Sequence, residues 1–195
     1  MKRRTAIAAL STAALLAWLP AARSADTIDV LNVAVEPSSD GEAWLLSADF
    51  ALSLSPQLEE AVSKGVPLTF LVEFELMRPR WYWWDERTAL ATQTHRLSYH
   101  ALTRQYRVLL NGVPQSYTTL AEALEAMTRL RGWRVTPRDR TRPGTAYEGW
   151  IRLRLDTNQL PKPFQLTALT NRDWNPQSEW KRFPFSPETT PRSER

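Results

Sequence analysis

Three segments in which apolar and polar residues alternate constrain the fold of this chain most strongly. Trp44–Leu54, Pro67–Met77 and Tyr147–Asp156 each place apolar side chains at every second position. Because successive side chains of a β-strand point to opposite faces, this period predicts long, half-buried antiparallel strands. Such strands must bury their apolar faces against another layer, so the pattern indicates packed β-sheets.

Shorter segments extend the prediction of a mainly β domain. The further strand-like segments are Thr27–Val35, Thr88–Tyr99, Arg104–Leu110 and Val113–Tyr117. Asn111 and Gly112 separate the last two, and this dipeptide favours the tight turn of a β-hairpin. No alternation of strands with long helices is visible, which argues against parallel βαβ units. The sequence therefore predicts an antiparallel β-sandwich or a strongly curved sheet.

Two short helices are expected within this β-rich chain. The first covers about residues 55–64, where Ser55 and Pro56 suit the N-cap and first helical position. The second covers about residues 119–131, where Thr119 and Glu122 form a capping box and Gly132 ends the pattern. A basic, proline-containing loop is expected from Arg134 to Gly144.

The N-terminal residues have the layout of a secretory signal peptide. Lys2, Arg3 and Arg4 precede the apolar run Thr5–Leu19, and small residues follow before Ala25. We predict a signal peptide over residues 1–24 and export to the periplasm. The alternative is that the apolar run is retained as an N-terminal membrane anchor, and membrane contact is expected only in that case.

The remainder of the chain is predicted to form a single domain. Its length suits one hydrophobic core, which we assign to residues 25–182. The polar residues 183–195 are expected to form a disordered tail.

Charge does not indicate a nucleic-acid partner. The formal charge of +4 equals the four bases of the predicted signal peptide, whose removal leaves 21 basic and 21 acidic residues. Acids concentrate in residues 25–86 and bases after Arg129, so the two halves are expected to attract each other within one fold. The chain has no cysteine, which excludes disulfides and thiolate metal sites.

The main candidate binding site is a run of four aromatic residues between arginines and carboxylates. Its residues are Arg78, Arg80, Trp81, Tyr82, Trp83, Trp84, Asp85 and Glu86. Tryptophan beside arginine and carboxylate suits either a protein-binding hot spot or the stacking of a sugar. The alternative is structural, with the rings closing the end of the sandwich and Arg80 stacked on one of them.

A second candidate is a basic face on the last long strand. Trp150, Arg152 and Arg154 alternate with apolar residues and therefore point outward. Four further arginines are candidates for the same patch, namely Arg134, Arg138, Arg140 and Arg142. An anionic partner or lipid headgroups would suit such a patch, whereas ordinary solvated charge is the alternative.

Catalytic chemistry has weaker support. Glu73 and Glu75 share one face of a strand, as a carboxylate pair acting on a glycoside would require. The alternative is that both form ion pairs with nearby arginines, the candidates being Arg78, Arg80 and Arg87.

Metal and cofactor chemistry has no candidate residues. His95 and His100 are five residues apart, so on one regular strand they face opposite sides and cannot share a metal ion. His100 is expected to make a structural hydrogen bond. The chain contains no nucleophile elbow and no glycine-rich phosphate loop. We predict no catalytic residue, no metal site and no cofactor, and we do not expect an enzyme.

Four motifs resemble a known family. They are Gly65–Leu68, Arg80–Trp83, Leu97–Tyr106 and Leu160–Gln165. Together they resemble the exported proteobacterial family known as domain of unknown function 4390 (DUF4390), over roughly residues 27–180. The resemblance implies a single exported domain with no assigned activity. It also implies genes that often lie beside those of a membrane sensor kinase similar to the nitrogen-regulation type.

These observations leave three hypotheses about function. The first is an exported interaction module whose Arg78–Glu86 edge binds an envelope protein or a membrane sensor kinase. The second is a carbohydrate- or small-ligand-binding module that uses Trp81–Trp84. The third is a hydrolase, which would require Glu73 or Glu75 to lie in a cleft with a raised pKa.

Overall fold

The computed structural model describes residues 28–79 and 86–187, and the structural statements below concern those residues. Nine strands are found there: β1 (Ile28–Pro37), β2 (Ala43–Leu52), β3 (Leu68–Arg78), β4 (Glu86–His100), β5 (Gln105–Leu110), β6 (Val113–Tyr117), β7 (Arg129–Pro137), β8 (Tyr147–Leu155) and β9 (Lys181–Phe185). The helices are α1 (Pro56–Ser63), α2 (Leu120–Thr128) and α3 (Lys162–Thr170).

The strands form two antiparallel sheets, which confirms the predicted mainly β, sandwich-like fold. A three-stranded sheet has the order β1-β2-β7, and a six-stranded sheet has the order β6-β5-β4-β3-β8-β9. Their inner faces meet in one core, where Phe74 of β3 makes an edge contact with Trp133 of β7 at 6.5 Å between ring centroids. Each leucine or phenylalanine fully buried in such a core contributes about 1.5–3 kcal/mol.

The alternation read from the sequence matches the burial of the central strands. On β3, Phe70, Val72 and Phe74 are buried and point toward the three-stranded sheet. Every second residue of β8, such as Ile151 and Leu153, is buried in the same way. The intervening residues of both strands therefore lie on the outer face of the six-stranded sheet, away from the core.

The strand register defines two ends of the sandwich. At what we call the lower end, β3 begins opposite the last part of β4 and the end of β8. Strand β1 also begins there, because Ile28 pairs with Leu52 immediately before α1. At the upper end, Arg78 pairs with Glu86 across β3 and β4.

The predicted hairpin at Asn111 and Gly112 is confirmed. Both residues have positive φ, at 48° and 83°, and they connect β5 to β6. A two-residue turn of this kind matches the right-handed twist of the paired strands. The prediction succeeded because the two turn residues themselves determine this local geometry.

The predicted helix 119–131 is wrong at its C-terminal end, where it is too long. The loop expected from Arg134 to Gly144 is wrong at its start, because β7 continues to Pro137. Helix α2 ends at Thr128, and Arg129–Pro137 forms β7 beside β2. Pairing with β2 buries Leu130 and Val135 in the core. This tertiary pairing outweighs the local helical preference of the segment.

A third helix, α3, adds to the two that were expected. It begins after Pro161 with a proline in its first turn and buries one side chain, Ala168. Phe164 fixes the helix by stacking on Trp174 with ring centroids 4.8 Å apart. Its weak amphipathic pattern explains why sequence periodicity did not predict it.

The predicted start of the disordered tail at residue 183 also needs correction. Residues 183–185 belong to β9, where Phe183 pairs with Gly149 and Phe185 contacts the rings of Trp44 and Tyr147. The predicted signal peptide and residues 188–195 lie outside the described residues. Within the described residues, no helix is both long enough and apolar enough to span a membrane.

Candidate functional site

The main predicted site has only its two boundary residues in the described part of the chain. Arg78 and Glu86 face each other across β3 and β4, with guanidinium and carboxylate 3.9 Å apart. The residues between them, Arg80, Trp81, Tyr82, Trp83, Trp84 and Asp85, lie outside the described residues. The pair shows that this segment connects β3 to β4 at the upper end of the six-stranded sheet.

The second predicted site lies on the outer face of the same sheet. Trp150 and Arg152 of β8 are opposite Glu75 and Glu73 of β3, and Arg154 follows on the same face. All three β8 side chains are half-buried. The sequence alternation therefore predicted their direction correctly.

Two residues that the sequence analysis did not single out complete a stacked cluster on this face. The Arg182 guanidinium lies 3.9 Å from the ring centroid of Trp150, and that of Arg152 lies 4.4 Å from Trp180. The two indole rings meet edge to face at 6.3 Å. We call Trp150, Arg152, Trp180 and Arg182 the tryptophan–arginine face. Trp180 and Arg182 are two residues apart, and so are Phe183 and Phe185. This spacing is the sequence signal that could have placed Trp180 and Arg182 on one face of a strand.

Glu73 holds two arginines of β8 in place. Arg152 Nε donates to Glu73 Oε2 at 2.5 Å, and Arg154 Nη2 donates to Glu73 Oε1 at 2.7 Å. Partial burial opposes ionisation of Glu73, but the hydrogen bonds from Arg154 and Arg152 outweigh it and lower its pKa. The hydrogen bond to Glu73 likewise raises the pKa of Arg154.

This geometry corrects the expected partners of Glu73 and weakens its candidacy as a general acid. Its ion-pair partners come from β8, whereas Glu75 pairs with one of the expected arginines, Arg87, at 3.4 Å. A general acid at neutral pH needs a raised pKa, and the pKa of Glu73 moves the other way. Within the described residues, Glu73 and Glu75 both form ion pairs with arginines, as the structural alternative expected.

Two of the four further arginines that the sequence suggested for this basic patch, Arg134 and Arg138, lie elsewhere. Arg134 lies on β7 in the other sheet, where it pairs with Asp40. Arg138 stacks over Trp44 with its guanidinium carbon 4.9 Å from the ring centroid. Arg152 and Arg154 face away from that sheet, so strand connectivity separates them from these arginines.

His95 is a buried structural residue. Burial lowers its pKa, which favours the neutral ring. In the tautomer that satisfies both contacts, Nδ1–H donates to the Met127 carbonyl at 2.9 Å and Nε2 accepts from the Gln93 amide at 3.2 Å. His95 thereby connects β4 to the end of α2.

His100 has a local partner, and metal binding has no candidate cluster. The Thr103 hydroxyl lies 3.3 Å from His100 Nδ1, which fits the expected structural hydrogen bond. Across residues 28–79 and 86–187, no group of three or more histidine, aspartate or glutamate side chains could hold a metal ion.

A cleft of about 670 Å³ lies between the two sheets, where the three-stranded sheet does not fully cover the six-stranded sheet. Its lining includes His95, Trp133 and three arginines of β7. Each arginine already contacts a carboxylate that is outside the lining: the pairs are Arg129–Glu125, Arg131–Asp49 and Arg134–Asp40. These pairings largely neutralise the arginines, so the cleft is a weaker candidate for anion binding than its lining suggests.

Comparison with known proteins gives a family match and no individual relative. A family model described as "Domain of unknown function (DUF4390)" matches residues 25–184. No curated protein and no solved structure matches the chain.

Proposed function

The chain belongs to the DUF4390 family, whose description assigns no activity, and we therefore propose a function from the surface of the fold. We propose that the protein is an exported, non-enzymatic interaction module that binds an envelope protein, such as the ectodomain of a membrane sensor. Its binding surface consists of the tryptophan–arginine face and the neighbouring segment from Arg78 to Glu86.

The tryptophan–arginine face is the observation that carries this proposal. Tryptophan and arginine are the residue types most enriched among interface hot spots. Here they are half-exposed or exposed, and stacking holds them in place. Binding then costs less side-chain entropy, because Glu73 and the two rings already restrict the arginine side chains.

The position of Arg182 supports a single continuous surface. Arg182 belongs to the tryptophan–arginine face and also lines a hollow of about 300 Å³ with Pro79, Glu148 and Phe183. Pro79 immediately precedes residues 80–85, which contain the aromatic run. A partner that contacts Arg182 would therefore also be close to Pro79.

The stacking favours a protein partner over a glycan at this face. Sugar binding typically uses an open face of an aromatic ring, but a guanidinium already covers one face of Trp150 and another covers one face of Trp180. Glycan binding by Trp81–Trp84 remains the alternative, and the experiment must distinguish it from the binding of a protein partner.

Export is the part of the proposal that rests on the N-terminal sequence. Lys2, Arg3 and Arg4 followed by Thr5–Leu19 support a signal for secretion. An exported module would meet envelope proteins rather than cytosolic ones, which defines where the partner should be sought.

The test is chemical cross-linking in intact cells, followed by mass spectrometry of proteins that co-purify with the tagged chain. We expect one envelope protein to be captured reproducibly and to be lost in Trp150→Ala and Arg182→Ala. Arg107→Ala is the matched control, because Arg107 is exposed on β5 of the same sheet. Circular dichroism and a thermal melt establish that each variant is folded.

Equal capture by all variants would contradict the proposed surface. A tryptophan fluorescence change on adding glycan fragments, abolished by Trp83→Ala but not by Trp150→Ala, would instead support the carbohydrate-binding alternative.

A further inference from the structure

The lower end of the sandwich exposes leucines that the core does not use. Leu166 and Leu169 of α3 are 71% and 81% exposed, and Leu102 in the turn after β4 is 93% exposed. Leucine side chains this exposed leave apolar surface in water, although single exposed leucines are common in proteins. Three exposed leucines therefore indicate a shared contact surface only if they lie at the same end of the molecule.

Strand connectivity places all three leucines at that end. The turn containing Leu102 connects the lower ends of β4 and β5, and α3 follows the lower end of β8. Helix α1 lies between these elements, since it contacts both β4 and the short turn after α3. The Ser55 hydroxyl at the start of α1 donates to the Asp173 carbonyl at 2.8 Å, which fixes this arrangement.

The orientation of α3 leaves its leucines free. Phe164 stacks on the buried Trp174, and Ala168 is buried, so these residues attach the helix to the domain. Leu166 and Leu169 are three residues apart and therefore lie near each other on the helix surface. The helix thus presents two adjacent leucines at the lower end of the molecule.

The chain also enters the domain at the lower end. The described residues begin at Ile28, which pairs with Leu52 beside the start of α1. Before Ile28 the sequence contains the apolar run Thr5–Leu19, separated from it by residues 20–27. Such a connection spans at most about 3.3–3.6 Å per residue, or roughly 28 Å, so a membrane-embedded run would hold this end close to the bilayer.

We propose that, in the chain that keeps its N-terminal apolar run as an anchor, the lower end rests on the surface of a lipid bilayer, with Leu102, Leu166 and Leu169 in the interfacial region. The long axis of β3 then places Arg78, at the upper end, away from the membrane. A strand of this length rises about 3.3 Å per residue, which places the upper end on the order of 35 Å above the lower end. The inference uses different residues from the proposed partner-binding surface and stands independently of it.

Charges at the lower end predict the kind of lipid attraction. The basic residues there are Lys64, Arg104, Arg107, Lys162 and Arg172, and the acidic ones are Asp29, Glu59, Glu60, Asp156 and Asp173. This near balance gives little net attraction to anionic headgroups. Docking should therefore depend on the leucines and change little with salt or with the anionic lipid content.

The absence of cysteine allows a direct test with single-cysteine variants of the full chain. Leu102→Cys, Leu166→Cys and Leu169→Cys are labelled with an environment-sensitive fluorophore and mixed with vesicles of phosphatidylethanolamine and phosphatidylglycerol. Leu31→Cys and Leu90→Cys are matched controls, because these leucines are 56% and 59% exposed but lie within strands β1 and β4. We expect a blue shift and quenching by spin-labelled lipid at the three lower-end positions only.

A second measurement separates docking by the leucines from anchoring by the N-terminal run. In the labelled Leu102→Cys variant of the full chain, adding Leu166→Gln with Leu169→Gln should reduce the blue shift while the protein stays on the vesicles. Adding Leu90→Gln with Leu109→Gln, two exposed leucines of the six-stranded sheet, should leave it unchanged. No vesicle response, a uniform response at all five positions, or equal effects of the two pairs of substitutions would overturn the proposal.

Discussion

At the scale of single residues, Glu73 shows how an apparent catalytic candidate becomes a structural one. The sequence places Glu73 and Glu75 on the same strand face, and that pattern alone fits both catalysis and ion pairing. In the fold, Glu73 lies between Arg152 and Arg154, whose hydrogen bonds keep it ionised despite partial burial. Its carboxylate therefore organises the arginine side of the tryptophan–arginine face.

Replacing this carboxylate should reduce stability in a pH-dependent way. We expect Glu73→Gln to lower the free energy of unfolding by about 1–2 kcal/mol at neutral pH, because three charge-assisted hydrogen bonds from Arg152 and Arg154 are weakened. The folded-state pKa of Glu73 is below its ordinary value of 4.5. Its contribution is thus fully present above pH 4.5 and lost as the pH falls through the lower folded-state pKa.

Urea unfolding at neutral and acidic pH measures this effect, with Glu125→Gln as the control. Glu125 also pairs with an arginine, but both side chains are about 60% exposed on α2 and at the start of β7. An exposed pair contributes about 0.5 kcal/mol or less. Equal losses in the two variants, or a loss in Glu73→Gln that does not depend on pH, would contradict the role assigned to Glu73.

At the scale of elements, local information determined which strands could be predicted. β2, β3 and β8 each have one face in the core, so their alternation is visible in the sequence. The same alternation predicted the outward direction of Trp150, Arg152 and Arg154. Their partners Trp180 and Arg182 were missed because the register between β8 and β9 depends on residues far apart in the chain.

The elements that sequence analysis missed depend on distant contacts. The helical signal of α2 continued into Arg129–Pro137, and only pairing with β2 makes that segment a strand. The short β9 has a similar origin, since the Phe183 ring occupies the space above Gly149. In both cases the deciding partner lies elsewhere in the sequence, where neither capping nor periodicity can indicate it.

The Gly149–Phe183 contact gives a prediction at this scale. A methyl group added at Gly149 would overlap the Phe183 ring, so Gly149→Ala should destabilise the protein by about 1–3 kcal/mol. Phe183→Leu in the same chain should recover part of this loss by making room for the methyl group. A double-mutant cycle of urea unfolding measures the coupling, and strictly additive effects would show that the ring and the glycine do not constrain each other.

At the scale of the whole molecule, the uneven distribution of charge along the sequence reflects how the fold assembles. Acids of the first half meet arginines of the second half in the pairs Asp49–Arg131, Asp40–Arg134 and Glu73–Arg152. These pairs match the expectation that the two halves attract each other. The sequence could not show which strands are neighbours, because strand order depends on the complete set of pairings.

The same architecture separates two surfaces with different proposed roles. The leucines of the lower end are proposed to face the membrane, whereas the tryptophan–arginine face extends along β8 and β9 toward the upper end. A domain oriented in this way would present its arginines and tryptophans to the exposed part of a membrane-anchored partner.

Site-specific photo-cross-linking in intact cells tests the central claim, that the tryptophan–arginine face binds an envelope protein. A photoreactive residue is placed at Pro184, which is exposed and lies on the same face of β9 as Arg182, in one strain and at the exposed Arg107 in another, and the cross-linked proteins are identified by mass spectrometry. We predict one envelope protein cross-linked from position 184 and none from position 107. The same products from both positions, or no specific product from position 184, would contradict the claim.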